Sequence, residues 1–291
     1  MVLPLYGCAG INSGVSVTPI IPETEFVPEL DQDADTDDED AENRPSVDGS
    51  NGSEGNDGDG KLPENSTDND GDKFTETEKE KKKKSYAVST VDRLRVRASA
   101  STSGAQLGSL DKNDAVVILG ESKGFYKTVY REKTAYVYSA YCKVMEVEES
   151  SMEVEKAIDE GSKLLGHPYV WGSERYHWGN GKLNTNFVAG EFDCSALTLY
   201  VYYKSNGVIL DVTSRAQVYN GKAVSRENLS RGDLMFFTNA SRKDKVGVER
   251  IGHVGIYFGN NYILHTASDH AVIEPISNLR WSYYITARKV V

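Results

Sequence analysis

A cysteine and two histidines in the C-terminal part of the chain have the types and spacing for nucleophilic catalysis. Cys194 follows Asp193, a good helix N-cap, and apolar residues recur after it at helical spacing until Asn206-Gly207 ends the pattern. The cysteine therefore falls in the first turn of a predicted helix, where unpaired N–H groups and the helix dipole favour a thiolate. A buried, inert cysteine is the alternative interpretation.

His253 and His265 lie on two predicted strands joined at Gly259-Asn260-Asn261, a hairpin signal. A three-residue loop centred on Gly259 would place the two histidines directly opposite one another, with Cβ atoms about 5 Å apart. A two-residue loop would place them on opposite faces. In the first geometry His265 orients the ring of His253 toward a third group, the arrangement of nucleophile, base and orienting residue.

Two other interpretations of the histidines stay open. Each could be a satisfied polar residue on a strand, or both could bind zinc with Cys194. The separations of 59 and 12 residues between Cys194, His253 and His265 do not match usual zinc-ligand spacing. The sequence therefore predicts no metal site.

The elements that position these residues occupy only part of the 291-residue chain, whose net charge is -11. Residues 22 to 80 carry 22 acidic and 4 basic side chains, which predicts a disordered acidic linker over 22–84. Residues 85 to 291 carry 25 basic and 22 acidic side chains, so we expect no nucleic-acid partner. The sequence has no apolar run of about 18 residues, which argues against a membrane-spanning helix. Three cysteines exclude a disulfide-stapled scaffold.

The N-terminal segment 1–21 contains Leu5-Tyr6-Gly7-Cys8, which resembles the end of a bacterial lipoprotein signal. No basic region or apolar stretch of about 7 to 15 residues precedes it. Two alternatives stay open: a remnant signal with a lipid anchor at Cys8, and an incidental free thiol.

Short apolar alternations broken by turn residues begin at Tyr86 and predict a small all-β barrel over residues 85–147. The strand at 94–97, the loop at 101–104, Gly124-Phe125-Tyr126 and the strand at 136–137 resemble the bacterial SH3 (SH3b) family in their order. That resemblance implies a domain that binds cell-wall peptide or packs beside a catalytic domain. A barrel that only positions its neighbour is the alternative.

A second domain is predicted over residues 150–291. Ser150 and Glu153 form a capping box, and the apolar spacing that follows predicts a helix up to Gly166. Six motifs follow in order: 168–172, 192–195, 213–217, 231–237, 252–257 and 264–265. Together they resemble the NlpC/p60 family of peptidoglycan-cleaving cysteine peptidases. The resemblance implies an α+β, reduced papain-like fold with the nucleophile's helix against an antiparallel sheet.

The same resemblance implies roles for individual residues. Cys194 is the nucleophile, His253 the base and His265 the polar third member. The residues expected to contact the substrate or its oxyanion are Tyr169, Trp171, Asp193, Ser195, Ser214 and Arg215. Ordinary aromatic core is the alternative for Tyr169 and Trp171, and a surface ion pair is the alternative for Arg215. Insertions at 173–191 and 238–250 flank the cleft, so they bear on substrate preference.

These roles lead to an expected function. The resemblance implies cleavage of a stem-peptide amide, D-γ-glutamyl to a diamino acid, by a monomer that needs no cofactor. Peptidoglycan or a muropeptide is the expected partner, and the expected location is extracellular or on the bacterial cell surface. Two alternatives remain: a catalytically silent wall-binding module, and an acyl transferase that uses the same three residues.

Overall fold

The computed structural model describes residues 82–267 and 269–291. Cys8, the segment 1–21 and nearly all of the predicted acidic linker lie outside the described residues. The described part forms two antiparallel β regions, the first followed by a helix that leads into the second. This order agrees with the predicted α+β fold.

The first region is an all-β unit of two small antiparallel sheets. One has the order β4-β1-β8 and the other the order β3-β2-β7-β6-β5. The strands are β1 Lys83–Ser89, β2 Leu94–Arg97, β3 Gln106–Leu110, β4 Ala115–Val117, β5 Gly120–Ser122, β6 Phe125–Tyr130, β7 Lys133–Tyr138 and β8 Cys142–Glu148. Alternating apolar residues such as Leu94 and Val96 are buried between the sheets, as the period of two predicts.

The second region has one six-stranded antiparallel sheet of order β13-β12-β11-β10-β14-β9. Its strands are β9 Lys222–Val224, β10 Leu234–Phe237, β11 His253–Gly259, β12 Tyr262–Thr266, β13 Ala271–Pro275 and β14 Tyr284–Lys289. Its helices are α1 Met152–Lys163, α2 Cys194–Asn206, α3 Ser214–Gln217 and α4 Asn278–Ser282. Helix α2 packs against α1 on one side and against β11 and β12 on the other.

Local sequence explains how the helices begin and end. The Asp193 side chain caps α2, and Gly207 ends that helix in the left-handed conformation with φ of 68°. Helix α1 begins one residue later than predicted, because Ser151 and not Ser150 is the N-cap and accepts from the Val154 N–H. Residues 194–202 are all buried, so α2 is a central helix with little polar surface.

The β barrel contacts the second region through a buried polar cluster around Arg231. The Arg231 guanidinium pairs with Glu155 of α1, with an Nε–Oε1 distance of 2.7 Å, and donates to the Tyr86 hydroxyl of β1 at 2.8 Å. It also donates to the Phe258 carbonyl. The Tyr86 and Phe258 rings meet edge to face at 4.7 Å between centroids. The hairpin between β11 and β12 is thereby fixed against the barrel.

Candidate active site

One cleft brings together nearly all the predicted site residues. Its walls come from the start of α2, the segment before it, the start of α3 and the start of β11. The lining residues are Tyr169, Trp171, Gly172, Arg175, Asp193, Cys194, Ser195, Thr213, Ser214, Arg215, Arg242, Ile251, Gly252 and His253. His265 is fully buried and lies behind the cleft wall, where it contacts His253. The predicted nucleophile and the predicted base therefore share one cleft, and the predicted third residue lies behind the base.

The nucleophile's helix is held at its start by Asp193. One oxygen of the Asp193 carboxylate accepts from the Ala196 N–H at 2.7 Å and from the Ser195 hydroxyl at 3.0 Å. Its other oxygen pairs with Arg175 Nη2 at 2.8 Å. This carboxylate is therefore engaged by the protein, which leaves less of it for the substrate contact expected of Asp193. Arg175 belongs to the 173–191 insertion and had no predicted role.

The two histidines share a face of the sheet, but neither predicted hairpin geometry is correct. The histidines are not directly opposite one another, and they are not on opposite faces. Strand β11 pairs with β12 so that Ile256 is opposite Leu264 and Tyr257 is opposite Ile263. In this register Gly255, not His253, lies across from His265. The loop has two residues, Asn260 and Asn261, and the register shifts by one between Tyr257 and Gly259.

A bulge explains the difference from both alternatives. Gly259 has a φ of 98°, and the extra residue beside it restores the face that a two-residue loop alone would reverse. His253 and His265 are therefore diagonal neighbours. Their rings are close enough for His253 Nε2 to lie 2.9 Å from His265 Nδ1.

A glycine makes room for this pair. A Cβ built on Gly255 would lie 2.9 Å from His265 Cβ and 2.6 Å from Ile263 Cδ1, closer than side chains normally pack. The absence of a side chain at Gly255 thus lets His265 occupy the strand position beside the base.

Burial controls the protonation of the base. Burial lowers the pKa of His253 well below its usual value, and the charge of the nearby Arg280 acts in the same direction. His253 is therefore neutral near pH 7. A neutral imidazole can accept a proton from a thiol, as a general base must.

An acidic residue that sequence reasoning missed extends the chain of contacts. Glu274 on β13 places its Oε1 atom 2.9 Å from His265 Nε2. Burial acts to raise the pKa of Glu274, but its hydrogen bond with His265 and the charge of the nearby Arg280 outweigh that effect, so the net pKa is lowered. Its signal in the sequence is a single charged residue within the apolar run 271–276.

Basic side chains surround the mouth of the cleft. Arg215 of α3 and Arg242 of the 238–250 insertion both line it. Glu249 lies between them, 3.3 Å from Arg242 Nη1 and 3.9 Å from Arg215 Nε. With Arg175, three arginines face one cleft, and two of them come from the insertions.

Within residues 82–267 and 269–291, no group of three His, Cys, Asp or Glu side chains is arranged to hold a metal ion. Among the helices of that same part of the chain, none has the length and apolar character needed to cross a bilayer.

The fold and the cleft together define an α+β domain, in which the helix that begins at Cys194 packs against an antiparallel sheet, and which follows a β barrel. Residues 166–290 match the model of the NlpC/P60 family, and residues 92–143 match the model of the bacterial SH3 domain. A match to the bacterial SH3 domain followed by a match to the NlpC/P60 family is the order that the motifs predict.

Known proteins similar to this chain include two named peptidases. The peptidoglycan DL-endopeptidase CwlO of Bacillus licheniformis is 34% identical over 131 residues, 44% of this chain and 26% of that protein. The gamma-D-glutamyl-L-lysine dipeptidyl-peptidase of Bacillus cereus is 34% identical over 119 residues, 41% of this chain and 30% of that protein. The matched region thus spans less than a third of either relative's length.

A solved structure also resembles the chain. A crystal structure of an NlpC/P60 family protein from Bacillus cereus is 23% identical, with a TM-score of 0.39. The match covers 71% of this chain and 63% of that chain.

Proposed function

We propose that this protein is a cell-wall hydrolase that cleaves an amide bond in peptidoglycan stem peptides, with Cys194 as nucleophile. The observation that carries the proposal is the shared cleft: Cys194 at the start of α2 and neutral His253 on β11 line it together, and His265 contacts the base. The names of both peptidase relatives support the same substrate class. The scissile bond we assign is D-γ-glutamyl to a diamino acid.

The mechanism follows from these positions. His253 accepts the thiol proton of Cys194, and the sulfur attacks the amide carbonyl to form a C–S bond. The resulting imidazolium returns the proton to the departing amine as the C–N bond breaks, which leaves an acyl-enzyme. Water, deprotonated by His253, then attacks the thioester and releases the carboxylate product and the thiol.

The cleft offers groups for the charges that develop. Backbone N–H groups at the start of α2 point toward the nucleophile's end of the helix and can hold the oxyanion, with Tyr169 beside them. A γ-linked glutamyl residue keeps its α-carboxylate beside the scissile bond. In this proposal Ser214 and Arg215, which line the cleft at the start of α3, bind that carboxylate.

We also propose the organisation and location of the molecule. Residues 85–147 form the wall-directed barrel and residues 150–291 the peptidase domain. A chain with this substrate acts at the bacterial cell wall or surface. The barrel contributes wall peptide binding in addition to its contact with the peptidase domain.

Replacing the nucleophile tests the proposal. Cys194→Ala should abolish cleavage of defined muropeptides, detected by mass spectrometry of the fragments, while circular dichroism stays unchanged. Cys142→Ala is the matched control and should retain activity, because Cys142 lies in the barrel and burial raises its pKa to about 11.

The outcomes separate the alternative functions. Turnover by Cys194→Ala at the wild-type rate contradicts the assignment. Wild-type protein that binds muropeptides without cleaving them contradicts it in favour of a binding module. Products that carry an added amine instead of a new carboxylate contradict hydrolysis in favour of acyl transfer.

A further inference from the structure

Glu274 continues a line of buried polar contacts that begins at the cleft. From the cleft inward, the line runs from His253 to His265 to Glu274, and each step is 2.9 Å between the bonded atoms. It uses both nitrogens of His265. The three residues come from β11, β12 and β13, which are adjacent strands of one sheet.

The chemistry of the groups fixes where the protons lie. An ionised carboxylate only accepts hydrogen bonds, so His265 Nε2 carries the proton in its contact with Glu274. The Nδ1 atom of a neutral His265 is then an acceptor, and His253 Nε2 must donate to it. The lone pair of His253 is consequently on Nδ1, the ring nitrogen not used by His265.

We propose that Glu274 is a positioning residue that sets the proton positions of both histidines, so that His253 presents an unprotonated nitrogen to the Cys194 thiol. When that nitrogen takes the thiol proton, the positive charge is shared through His265 with a carboxylate that remains ionised. The same logic applies where an aspartate orients a catalytic imidazole without accepting its proton. The inference rests on the proposed function, because it requires Cys194 to be the nucleophile whose thiol proton His253 accepts.

The electrostatic surroundings support an ionised Glu274. Burial acts to raise its pKa, but the hydrogen bond from His265 and the nearby positive charge of Arg280 outweigh that effect, so the net pKa is lowered. The charged groups near Glu274 are Arg280 on α4, His270 before β13 and Asp114 of the barrel, and Asp269 pairs with His270. At the cleft end of the line, Cys194 on α2 lines the same cleft as His253. Burial raises the pKa of Asp114 to about 7, so this neighbour also titrates near neutral pH.

The test measures how fast iodoacetamide alkylates Cys194 as a function of pH, in the full chain and without substrate. Peptide mass spectrometry separates Cys194 from Cys142, which serves as a slowly reacting reference in the same sample. Glu274→Gln keeps the size of the side chain and removes its charge. The alkylation profile of this variant should move upward by about one pH unit, because the imidazolium that accompanies the thiolate loses a nearby carboxylate. We expect kcat/KM for muropeptide cleavage to fall about tenfold, because a shift of one pKa unit and a tenfold change in rate correspond to the same free energy.

A second variant gives the opposite sign. Arg280 Nη2 lies 3.8 Å from the same Glu274 oxygen. Arg280→Gln removes a positive charge near the imidazolium, so its alkylation profile should move downward. This variant also tests the proposal if Glu274→Gln does not fold. Glu121→Gln, on the exposed strand β5, is the control and should match the wild type.

The outcomes also separate this inference from the proposed function. Shifts of opposite sign in the Glu274 and Arg280 variants support the positioning role. Rapid alkylation of wild-type Cys194 with a profile that superimposes on those of both variants overturns the role and leaves the hydrolase intact. Sluggish alkylation of wild-type Cys194 at neutral pH overturns the hydrolase proposal itself.

Discussion

Asp193 has two partners within the protein, and these contacts explain its position before Cys194. Its carboxylate caps α2 and also pairs with Arg175. Capping residues typically contribute about 1 kcal/mol to stability. Here the cap also fixes the position of the helix start, where Cys194 lies beside the N–H groups that we propose hold the oxyanion. The carboxylate before the nucleophile therefore has a structural explanation that does not involve substrate.

Gly255 offers a test of the histidine geometry at the scale of one methyl group. Gly255→Ala should destabilise the protein by about 1–3 kcal/mol, because the new Cβ overpacks against His265 and Ile263. It should also lower kcat, since His265 has to move away from His253. Thermal unfolding measures the first effect, and muropeptide cleavage measures the second.

Gly190→Ala is the matched control for that experiment. Gly190 lies in the first insertion, and a Cβ at this position meets nothing within 4 Å. Its stability and activity should stay at the wild-type level. An equal effect of both substitutions would mean that the space beside His265 is not what Gly255 provides.

At the scale of elements, the two insertions supply cations to the cleft. Arg242 reaches the cleft because Asn239 caps the turn that carries it, with the Asn239 Oδ1 atom accepting from the Arg242 N–H at 3.0 Å. Its side chain packs over Gly252, where a Cβ would lie 3.1 Å from Arg242 Cδ. The insertion therefore places a guanidinium beside the strand start that holds His253.

Arg242 should consequently affect substrate affinity more than turnover. Arg242→Gln should raise KM about tenfold for a stem peptide with a free α-carboxylate, the size of one charge-assisted hydrogen bond of about 1.5 kcal/mol. The kcat should change little. Steady-state kinetics with that peptide, and with the same peptide as its α-carboxamide, measures the difference.

The carboxamide peptide and a second variant test the role of Arg242. If KM rises equally for the carboxylate and the carboxamide, Arg242 does not bind the carboxylate. Lys245→Gln in the same insertion is the control, because Lys245 is exposed and does not line the cleft. It should leave both KM values unchanged.

The sequence predicts local elements of this site better than its cross-strand contacts. The helix start at Asp193 and the helix end at Gly207 are confirmed because capping depends on residues within one turn. The pairing of His253 with His265 was wrong because one bulged residue at Gly259 changes the register of the hairpin. Counting loop residues cannot detect such a bulge.

Glu274 and the insertion arginines were missed for a related reason. The contact of Glu274 with His265 depends on the register of β12 with β13, and there Ile263, not His265, is opposite Glu274. The two residues are diagonal neighbours on one face. Arg175 and Arg242 lie in irregular segments. Without a helix or strand period, the sequence does not predict which way their side chains point.

At the scale of the whole molecule, the barrel contacts the second region at a buried ion pair. Arg231 is 8% exposed, and it connects Glu155 of α1 with Tyr86 of β1. Lys84 of the barrel lies 3.6 Å from the same Glu155 carboxylate. Glu155 thus neutralises cations from both sides of the contact.

Removing that carboxylate should destabilise the whole molecule. Glu155→Gln should lower the free energy of unfolding by about 3 kcal/mol, because it leaves Arg231 buried without its counter-charge. Denaturant unfolding measures the change. Glu160→Gln on the same helix is the control, because Glu160 pairs with the half-exposed Lys163 at 2.5 Å, and the change should stay below about 1 kcal/mol. Equal losses would contradict the role of the buried pair.

The same pair predicts a pH dependence. Burial acts to raise the pKa of Glu155, but bonding to Arg231 outweighs it and leaves the pKa lowered. The contribution to stability is therefore present above the ordinary carboxyl pKa and is lost as the pH falls through the lowered value. The stability difference between wild type and Glu155→Gln should shrink in acid.

The contact between the β11–β12 hairpin and the barrel has a practical consequence for trimming the protein. Asn260 at the hairpin tip donates to the Glu146 carbonyl, and Phe258 rests on Tyr86. A fragment that starts after the barrel would expose Phe258 to water. It would also remove the contacts that hold the β11–β12 hairpin, whose two strands carry His253 and His265. A shortened protein that lacks the barrel therefore needs a polar residue in place of Phe258.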